Sequence, residues 1–299
     1  MEHQSDLLLR DGCPLCNDSR KTPYVRCKDY TVSGESFQIV ACGSCGFMYT
    51  DPVPSPAVIG KYYKSEDYIS HSGTRKGIVA QVYHLVRNLT LRRKYRLISG
   101  LTRGRNLLDF GCGTGNFLQL CLDHGWKVSG IEPDSEARQR IAPGISVFRE
   151  WKDLAESENR KYSVITLWHV LEHVYDLKET LGFFNSRLEK DGALVVAVPN
   201  YRSKDAGQYG EFWAAYDVPR HLYHFDRDTL TNLAEITGFI VESIEPMWFD
   251  SFYVSMLSEK YRGRGTMGLL SAIIAGLRSN ISARNTGEYS SLIYIIRKA

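Results

Sequence analysis

Hydrophobic and polar positions alternate along this chain with two different periods, and their order predicts an α/β fold. Between residues 106 and 198, short apolar runs are separated by stretches with helical spacing. This repeated order is typical of a Rossmann-like, doubly wound parallel sheet. The last runs, 239–247 and 289–297, are separated by two helix-like stretches, 251–261 and 267–280. The other predicted strands are 106–110, 127–132, 145–149, 162–168 and 192–198, and the helices between them are about 116–124, 134–141 and 176–189.

Two stretches that precede this pattern differ from it. Residues 1–50 are too few to be held together by an apolar core alone. Residues 51–105 begin with three prolines at 52–56 and then show helical spacing. The predicted division is therefore a small module (1–50), a linker with a helical lead-in (51–105), and a main domain (106–299) that contains a long connection at 200–227.

The composition narrows the class only slightly. With 43% hydrophobic and 24% charged residues and a net charge of +3, the chain makes no general demand for nucleic acid or a membrane. The longest apolar run, Met267–Leu277, is too short to cross a bilayer. It predicts a buried or interfacial helix, and contact with a membrane surface or a dimer partner stays open. The first residues lack a signal-peptide pattern, so we expect a cytoplasmic protein with reduced cysteines.

Four of the seven cysteines predict a metal site. They form two Cys-x2-Cys pairs, Cys13 with Cys16 and Cys42 with Cys45, and 25 residues lie between the pairs. Each short turn can present two sulfurs to one tetrahedral ion, and two matched pairs are typical of structural zinc. A redox pair and ordinary core thiols are the alternatives.

Residues 107–118, LLDFGCGTGNFL, predict a cofactor site. An apolar run ends in Asp109, a turn with Gly111, Gly113 and Gly115 follows, and a helix starts at Asn116. Such a turn lets a ligand approach the backbone at a helix N-terminus. Its G-x-G-x-G spacing differs from those of dinucleotide binders and P-loops, which indicates a nucleoside cofactor without a pyrophosphate at the turn.

An acidic residue follows at the end of the second predicted strand, about 20 residues after the turn. Glu132, in the run GIEPD, can accept hydrogen bonds from both hydroxyls of a ribose. The alternative is a helix-capping acid, a task for which Asp134 is better placed.

Over roughly residues 75–299 the chain resembles the class I S-adenosylmethionine (SAM)-dependent methyltransferases. LLDFGCGTG and GIEPD match the first two motifs of that family, LWHVLEHV matches the stretch after the fourth strand, and GALVVAVPN matches the fifth strand. The resemblance implies a seven-stranded sheet with an antiparallel last strand, and SAM as the methyl donor. It implies contacts with the methionine part of SAM for Asp109, Gly111, Gly113, Gly115 and Asn116, with the ribose for Glu132, with the adenine for Pro133, Glu150 and Trp151, and with the sulfonium end for Trp168 and His169.

Two other interpretations are weaker. An oxidoreductase with a nicotinamide or flavin cofactor would need a different glycine spacing. The run from His169 to His173 spells H-x-x-E-H, which elsewhere marks a zinc protease helix. Here the run follows a predicted strand, and no further ligand is obvious, so we interpret His173 as an acceptor-site residue.

The connection at 200–227 predicts the acceptor site. It is rich in aromatic, histidine and charged residues, and it follows the fifth strand, at the sheet edge where ligands bind in such folds. Methyl transfer to an alcohol or a carbon acid needs a base, and histidine suits that task near neutral pH. The candidates are His221, His224, Arg220 and Tyr223, together with His173.

With its cysteine pairs, the chain also resembles bacterial zinc-domain methyltransferases related to deoxysugar C-methyltransferases and glycan-locus enzymes. Their loop reads Tyr-x-Glu-His, which implies a base role for His221 and an active-site role for His173. Val218 and Arg220 stand where the Tyr and Glu would be, and we expect no counterpart of the third domain in which those enzymes continue. C- and O-methylation both stay open.

Structural alternatives accompany each of these roles. The histidines could simply cap and pack the loop. Arg220 could hold a phosphate or carboxylate of the acceptor, or pair with Asp217. The aromatic residues Tyr62, Tyr63, Tyr68 and Trp213 could form a wall for a sugar or a buried interface.

RNA is the alternative acceptor. The segment 87–105 carries seven basic residues and no acid, a stripe that could follow phosphates. A solvated helix face explains the stripe as well, and the motifs of nucleobase methylation are absent. An inactive binding protein on the same core is opposed by the intact glycine turn and Glu132. We therefore expect a small-molecule or glycan-type acceptor, most simply a sugar hydroxyl, with SAM and structural zinc as cofactors.

Overall fold

The structure is a computed structural model that describes residues 6–64, 78–157, 159–264 and 268–299, with the backbone alone at 78–85. Its strands alternate with helices in the order that the hydrophobic pattern predicts. In chain order the strands are β1 (Leu7–Leu8), β2 (Lys21–Lys28), β3 (Ser36–Cys42), β4 (Met48–Thr50), β5 (Val53–Pro54), β6 (Asn106–Phe110), β7 (Lys127–Ile131), β8 (Ser146–Phe148), β9 (Tyr162–Trp168), β10 (Leu188–Pro199), β11 (Tyr223–His224), β12 (Phe239–Pro246) and β13 (Ser291–Lys298).

The helices cover both sides of the main sheet and the edge where β6, β7 and β9 end. Short 3₁₀ turns at Ile59–Tyr63, Leu171–His173, Gly210–Phe212 and Ala214–Tyr216 connect them to the strands. The α-helices are α1 (Ile78–Leu101), α2 (Asn116–Asp123), α3 (Ser135–Gln139), α4 (Trp151–Ser157), α5 (Leu177–Arg187), α6 (Lys204–Tyr209), α7 (Arg227–Ile236), α8 (Asp250–Tyr261) and α9 (Gly268–Thr286).

The main sheet confirms the predicted fold class. In the described part of the chain it has seven strands in the order β12-β13-β10-β9-β6-β7-β8. The strands β6 to β10 are parallel to one another, and β13 runs antiparallel between β10 and β12. The central strands β9 and β10 are buried along nearly their whole length, as expected for strands covered on both faces.

The N-terminal residues form a second, smaller sheet that the 200–227 connection completes. Its order is β11-β4-β3-β2, and β11 pairs with β4 at Tyr223 and His224. Side chains at this sheet, such as Tyr49 of β4 and the preceding Phe47, share one apolar cluster with the main sheet. The 200–227 connection is therefore not a free loop: it carries α6, two 3₁₀ turns and a strand of the small sheet.

The helices α8 and α9 form a hairpin between β12 and β13. A buried carboxylate, Asp205 of α6, ties the hairpin to the core by accepting hydrogen bonds from Ser279 (2.6 Å), Ser290 (2.7 Å) and Trp213 Nε1 (2.8 Å). Among the residues that the structure describes, no helix combines the length and the hydropathy that a membrane crossing requires.

Candidate active site

The glycine turn follows β6 and leads directly into α2. Gly111, Gly113 and Gly115 have φ angles of +75°, +55° and +73°, which residues with a Cβ seldom adopt. A Cβ on Gly111 would lie 2.4 Å from Val170 Cγ2, whereas a Cβ on Gly113 would meet no described atom within 4 Å. The turn is therefore closed on the Val170 side and open at Gly113, where a ligand can approach the backbone.

Glu132 lies just after β7 and is held at the open side of the turn. Its carboxylate accepts hydrogen bonds from the N–H groups of Gly113 (2.8 Å) and Asp134 (2.9 Å). Burial raises the pKa of Glu132, and these two hydrogen bonds act against the rise. Asp134 caps α3 by accepting from the Ala137 N–H, which leaves Glu132 facing the turn.

Asp109 ends β6 as a buried carboxyl group. The parallel register places it beside Thr166 of β9, whose hydroxyl donates to Asp109 Oδ1 over 2.6 Å. Burial raises the pKa of Asp109 to about 6, while the Thr166 hydrogen bond and the Lys94 charge act in the opposite direction. At the other end of the turn, Asn116 begins α2 on its exposed side.

Lys94 of α1 reaches this same edge of the sheet, although the sequence places it in the basic stripe. Its Nζ lies 4.4 Å from the centroid of the Trp168 ring, which packs edge-on against Phe117. Burial lowers the pKa of Lys94 to about 8, and the charges of Asp109 and Asp250 oppose that shift. No local motif marks such a residue, because its position depends on how α1 crosses the sheet.

His169 follows β9 with a φ angle of +58°, and α8 supplies its partner. Its Nε2 lies 2.9 Å from Asp250 Oδ2, and its Nδ1 lies 3.5 Å from Glu172 Oε1. Burial acts to lower the pKa of His169, but the two carboxylates outweigh it and raise the pKa to about 10. Sequence reasoning missed Asp250, since no pattern links it to a strand 80 residues earlier.

The residues expected around the adenine lie at the ends of β7 and β8. The Glu132 N–H donates to the Phe148 carbonyl over 2.9 Å, which brings these two strand ends together. Pro133 follows on one strand, while Glu150, which is exposed, and Trp151, which is half-buried, follow on the other. They border the glycine turn on the side opposite to His169.

A cluster of three titratable side chains lies beside His169. Glu172 and His221 are buried, His173 is half-buried, and their potential ligand atoms lie within 4.8 Å of one another. Among the described residues, neither Glu172 oxygen has a hydrogen-bond partner, and Oε1 lies 3.9 Å from His221 Nε2. Burial acts to raise the pKa of Glu172, but the neighbouring histidines, His169 first, lower it by more. The H-x-x-E-H run does not form a protease-like helix here: the chain turns in 3₁₀ form at Leu171–His173.

Both histidines of this group donate from Nδ1 to a backbone carbonyl. His221 donates to Ala215 O over 2.9 Å, and His173 donates to Arg220 O over 3.0 Å. A neutral imidazole that donates from Nδ1 keeps Nε2 as an acceptor. Burial lowers the pKa of His173 to about 4, helped by the neighbouring His221. The Tyr63 hydroxyl also lies 3.0 Å from His173 Nδ1.

Two other candidates from the 200–227 connection are engaged in packing. His224 Nε2 lies 3.1 Å from the Thr50 hydroxyl, which itself donates to the His221 carbonyl over 2.8 Å. The Tyr223 hydroxyl donates to Tyr175 O over 2.6 Å. Both side chains are buried where β11 meets β4.

Arg220 is buried, and its guanidinium connects three segments of the chain. Its guanidinium donates to Asp217 Oδ1 over 2.7 Å, to Asp29 Oδ1 over 3.0 Å and to Tyr62 O over 2.7 Å. Burial acts to lower the pKa of Arg220, but the two carboxylates raise it above its usual value. These contacts favour the ion-pair interpretation over a clamp for the acceptor.

Of the aromatic residues considered for a sugar-binding wall, two are buried and hydrogen-bonded and one lies beside His173. Tyr62 is buried and donates its hydroxyl to Glu35, and Trp213 is buried and donates to Asp205. Tyr63 is half-buried beside His173. Tyr68 lies outside the described residues.

The four cysteine sulfurs converge on one point. Cys13 Sγ lies 3.6 Å from Cys45 Sγ, Cys16 Sγ lies 3.5 Å from Cys42 Sγ, and all four lie within 4.8 Å of one another. Sulfurs at about 2.3 Å from a tetrahedral zinc are about 3.8 Å apart. The donor set and its spacing therefore fit a four-thiolate ion.

The basic stripe does not present all its charges to solvent. Arg93 donates to the Pro246 carbonyl over 2.9 Å, and the Arg105 guanidinium lies 5.0 Å from the Trp126 ring centroid. With Lys94 on Trp168, three of the seven basic residues contact the protein itself.

The seven-stranded sheet, the open glycine turn and the acid after the second strand define a SAM-dependent methyltransferase of class I. A family model described as a methyltransferase domain matches residues 82–244, more than half of the chain. The chain belongs to this family.

Similar proteins agree with this assignment. An uncharacterized methyltransferase of Geobacillus kaustophilus is 28% identical over 152 residues, which are 46% of this chain and 69% of the relative. A ubiquinone biosynthesis O-methyltransferase of Rickettsia bellii is 24% identical over 208 residues, which are 60% of this chain and 85% of the relative. The magnesium protoporphyrin IX methyltransferase of Synechocystis, solved with bound SAH, shares the fold with a TM-score of 0.53 at 12% identity, covering 82% of this chain and 100% of that chain.

Proposed function

We propose that this protein transfers a methyl group from SAM to a hydroxyl of a small or glycan-type acceptor, with His221 as the base. The glycine turn fits the donor, because Gly113 leaves its backbone open and Glu132 is already aimed at it. SAM would contact Asp109, the turn and Asn116 with its methionine part. Glu132 would hold the ribose, Pro133, Glu150 and Trp151 would flank the adenine, and Trp168 and His169 would border the sulfonium.

The proposed role of His221 as the base depends on which of its ring nitrogens carries the proton. Since Nδ1 donates to Ala215 O, Nε2 is left to accept a proton. The carboxylates of Glu172 and Asp217 each have an oxygen 3.9 Å from this Nε2, so they stabilise the imidazolium that forms. A base oriented on one nitrogen and flanked by acids is the arrangement that general base catalysis needs.

The chemistry follows from these positions. SAM, held by the glycine turn and Glu132, would supply an activated methyl group, and its sulfur would be left as a neutral thioether. His221 Nε2 would accept the proton of the acceptor hydroxyl as the hydroxyl oxygen takes up that methyl group.

Two points support a hydroxyl as the acceptor. The Rickettsia relative is named an O-methyltransferase, and the proposed base at His221 is what an alcohol would need. A glycan-type acceptor rests on the resemblance of the cysteine pairs and the catalytic core to glycan-locus enzymes. Zinc in the four-cysteine site would stabilise the small sheet, which includes β11 of the 200–227 connection.

The experiment compares His221→Gln with His224→Gln in the purified protein. We expect His221→Gln to lower kcat by about 10²–10⁴-fold while SAH binding, measured by titration calorimetry, stays unchanged. His224→Gln should change stability more than kcat, because its ring supports Thr50. Full turnover in His221→Gln with intact SAH binding would exclude this base.

The acceptor class is tested with radiolabelled SAM and fractionated host extract. We expect label in a fraction that glycosidase removes and nuclease leaves intact. Nuclease-sensitive label would instead support an RNA methyltransferase that uses the 87–105 stripe.

A further inference from the structure

The helix α9 is apolar on the side that faces away from the protein. Its large aliphatic residues are each between 42% and 68% exposed, and they fall within about 140° of the helix circumference. We call this surface the outer face. It consists of Leu269, Leu270, Ile273, Ile274, Leu277 and Ile281.

The inner side of the same helix is built from small residues. Gly276 packs so closely on α8 that a Cβ would lie 2.8 Å from Phe252 Cδ1. A surface helix normally buries its large apolar side chains and exposes polar ones, so this helix has the reverse pattern. The other buried inner positions are Gly268, Ala272, Ala275, Ser279 and Ala283.

Further apolar side chains are exposed on α8 and just before it, next to the active-site edge. Tyr253 and Met256 are exposed on α8, and Trp248 and Phe249 are exposed just before it. Trp248 and Phe249 also line a cleft with Lys94 and Asp250, and Asp250 is the partner of His169. Several large apolar side chains exposed on neighbouring elements are typical of an interaction site.

The charges around the outer face indicate which kind of partner fits it. Residues 262–287 contain four arginines and no acid, and Arg278 and Arg284 are exposed on α9 itself. A second copy docked by a two-fold axis would bring these arginines against their own copies without an acid from this segment to pair with them. Anionic headgroups beside an acyl layer satisfy both the arginines and the aliphatic residues.

We infer that the outer face docks on an anionic lipid bilayer, with the aliphatic residues of α9 in the headgroup–acyl boundary and Arg278 and Arg284 on phosphates. This orientation turns the cleft at Trp248 and Phe249 towards the bilayer. It therefore predicts an acceptor that reaches the enzyme from the membrane surface. The docking itself does not depend on which residue is the catalytic base.

The experiment is vesicle flotation of the full-length protein, with phosphatidylcholine alone or mixed with phosphatidylglycerol. We expect binding that increases with phosphatidylglycerol and falls with salt. Leu270→Glu combined with Ile274→Glu should lower the partition coefficient at least tenfold, whereas Ile236→Glu, an equally exposed isoleucine on α7, should leave it unchanged. Arg278→Ser and Arg284→Ser should each weaken binding about fivefold on the anionic vesicles alone.

Three results would overturn the inference: no flotation of the wild-type protein at any phosphatidylglycerol content, flotation of the Leu270/Ile274 variant equal to wild type, or a dimer in sedimentation that this variant dissociates while no vesicle binding occurs. SAH titration of each variant checks folding, because none of these residues belongs to the proposed site. A His221→Gln protein should bind vesicles like wild type, so failure of the base assignment and failure of the docking are separate outcomes.

Discussion

Two neighbouring regions of the molecule are built differently. One is the sheet edge with the glycine turn (109–116) and Glu132, which we call the cofactor edge. The other is the connection at 200–227, which we call the acceptor connection. At the cofactor edge, positioning comes from the backbone: three glycines with positive φ angles, two N–H groups on Glu132, and the register of β6 with β9. In the acceptor connection, side chains reach distant segments. Arg220 holds Asp29, and Tyr223 holds Tyr175.

This difference distinguishes polar side chains that are engaged in packing from those that face the candidate site. The acceptor connection contains two histidines, an arginine and a tyrosine that all look catalytic in the sequence. Three of these, His224, Arg220 and Tyr223, are buried and contact Thr50, Asp29 and Tyr175, which lie in other segments of the chain. Only His221 keeps an acceptor nitrogen towards the group around Glu172.

We expect the largest effect from a substitution in the four-cysteine site, which tests whether this site stabilises the small sheet. Cys42→Ala should release the metal and lower the free energy of unfolding by more than about 5 kcal/mol, because structural zinc contributes its binding energy to folding. Cys27→Ala is the matched control: this thiol is buried in the same sheet but lies outside the cluster. Metal analysis and denaturant titration measure both. Retained metal in Cys42→Ala, or equal loss in Cys27→Ala, would contradict the assignment.

Arg220→Met should have the next largest effect. It leaves Asp29 and Asp217 without their buried partner, which costs about 3–5 kcal/mol in stability. Arg202→Met is the comparison, because the Arg202 side chain is 53% exposed and its ion pairs with Asp226 and Asp228 are 3.5 and 3.9 Å long. That change should stay within about 1 kcal/mol. Equal losses in the two variants would mean that Arg220 is no more structural than a surface arginine.

These contacts explain how far the sequence predicts the molecule. The fold class and the succession of strands and helices along the chain are predictable because hydrophobic periods and the glycine turn are local signals. Glu132 is found in the same way, as it lies at a fixed distance after the turn. Lys94 and Asp250 are not, because α1 and α8 bring them to the site through packing of distant segments.

The same limit applies to the acceptor connection. The sequence shows which polar residues lie between 200 and 227, but not that β11 joins the N-terminal strands. That pairing determines which side chains are buried, and so which of the candidate histidines faces the site. A motif that occupies one turn of chain is easier to interpret than one whose partners are over 150 residues away.

Gly111→Ala sharpens the comparison at the cofactor edge. The added Cβ would lie 2.4 Å from Val170 Cγ2 at a φ of +75°, so the turn must shift. We expect SAH affinity to fall about 100-fold, or ~3 kcal/mol, from the combined clash and strain. Gly100→Ala, where a Cβ meets nothing within 4 Å, is the control. Calorimetric titration that shows less than a threefold loss for Gly111→Ala would indicate that backbone geometry does not position the donor.

The smallest expected effect lies where the two regions meet, at His169. Its pKa is raised to about 10 by Asp250 and Glu172 against the effect of burial, compared with about 6.5 in the unfolded chain. Protonation is therefore favoured by folding: this stabilisation is complete below pH 6.5 and is lost as the pH rises through about 10. Since about a third of the side chain is exposed (33%), water screens the pair, and we expect about 1–2 kcal/mol.

The measurement is denaturant unfolding without SAM at several pH values between 6 and 10. The stability difference between wild type and His169→Gln should shrink across this range. Asp250→Asn, which removes the 2.9 Å partner, should reduce the same slope by most of its amount, because Glu172 at 3.5 Å is the weaker contact. A difference that stays constant with pH would contradict the raised pKa and would mean that His169 is neutral in the folded protein.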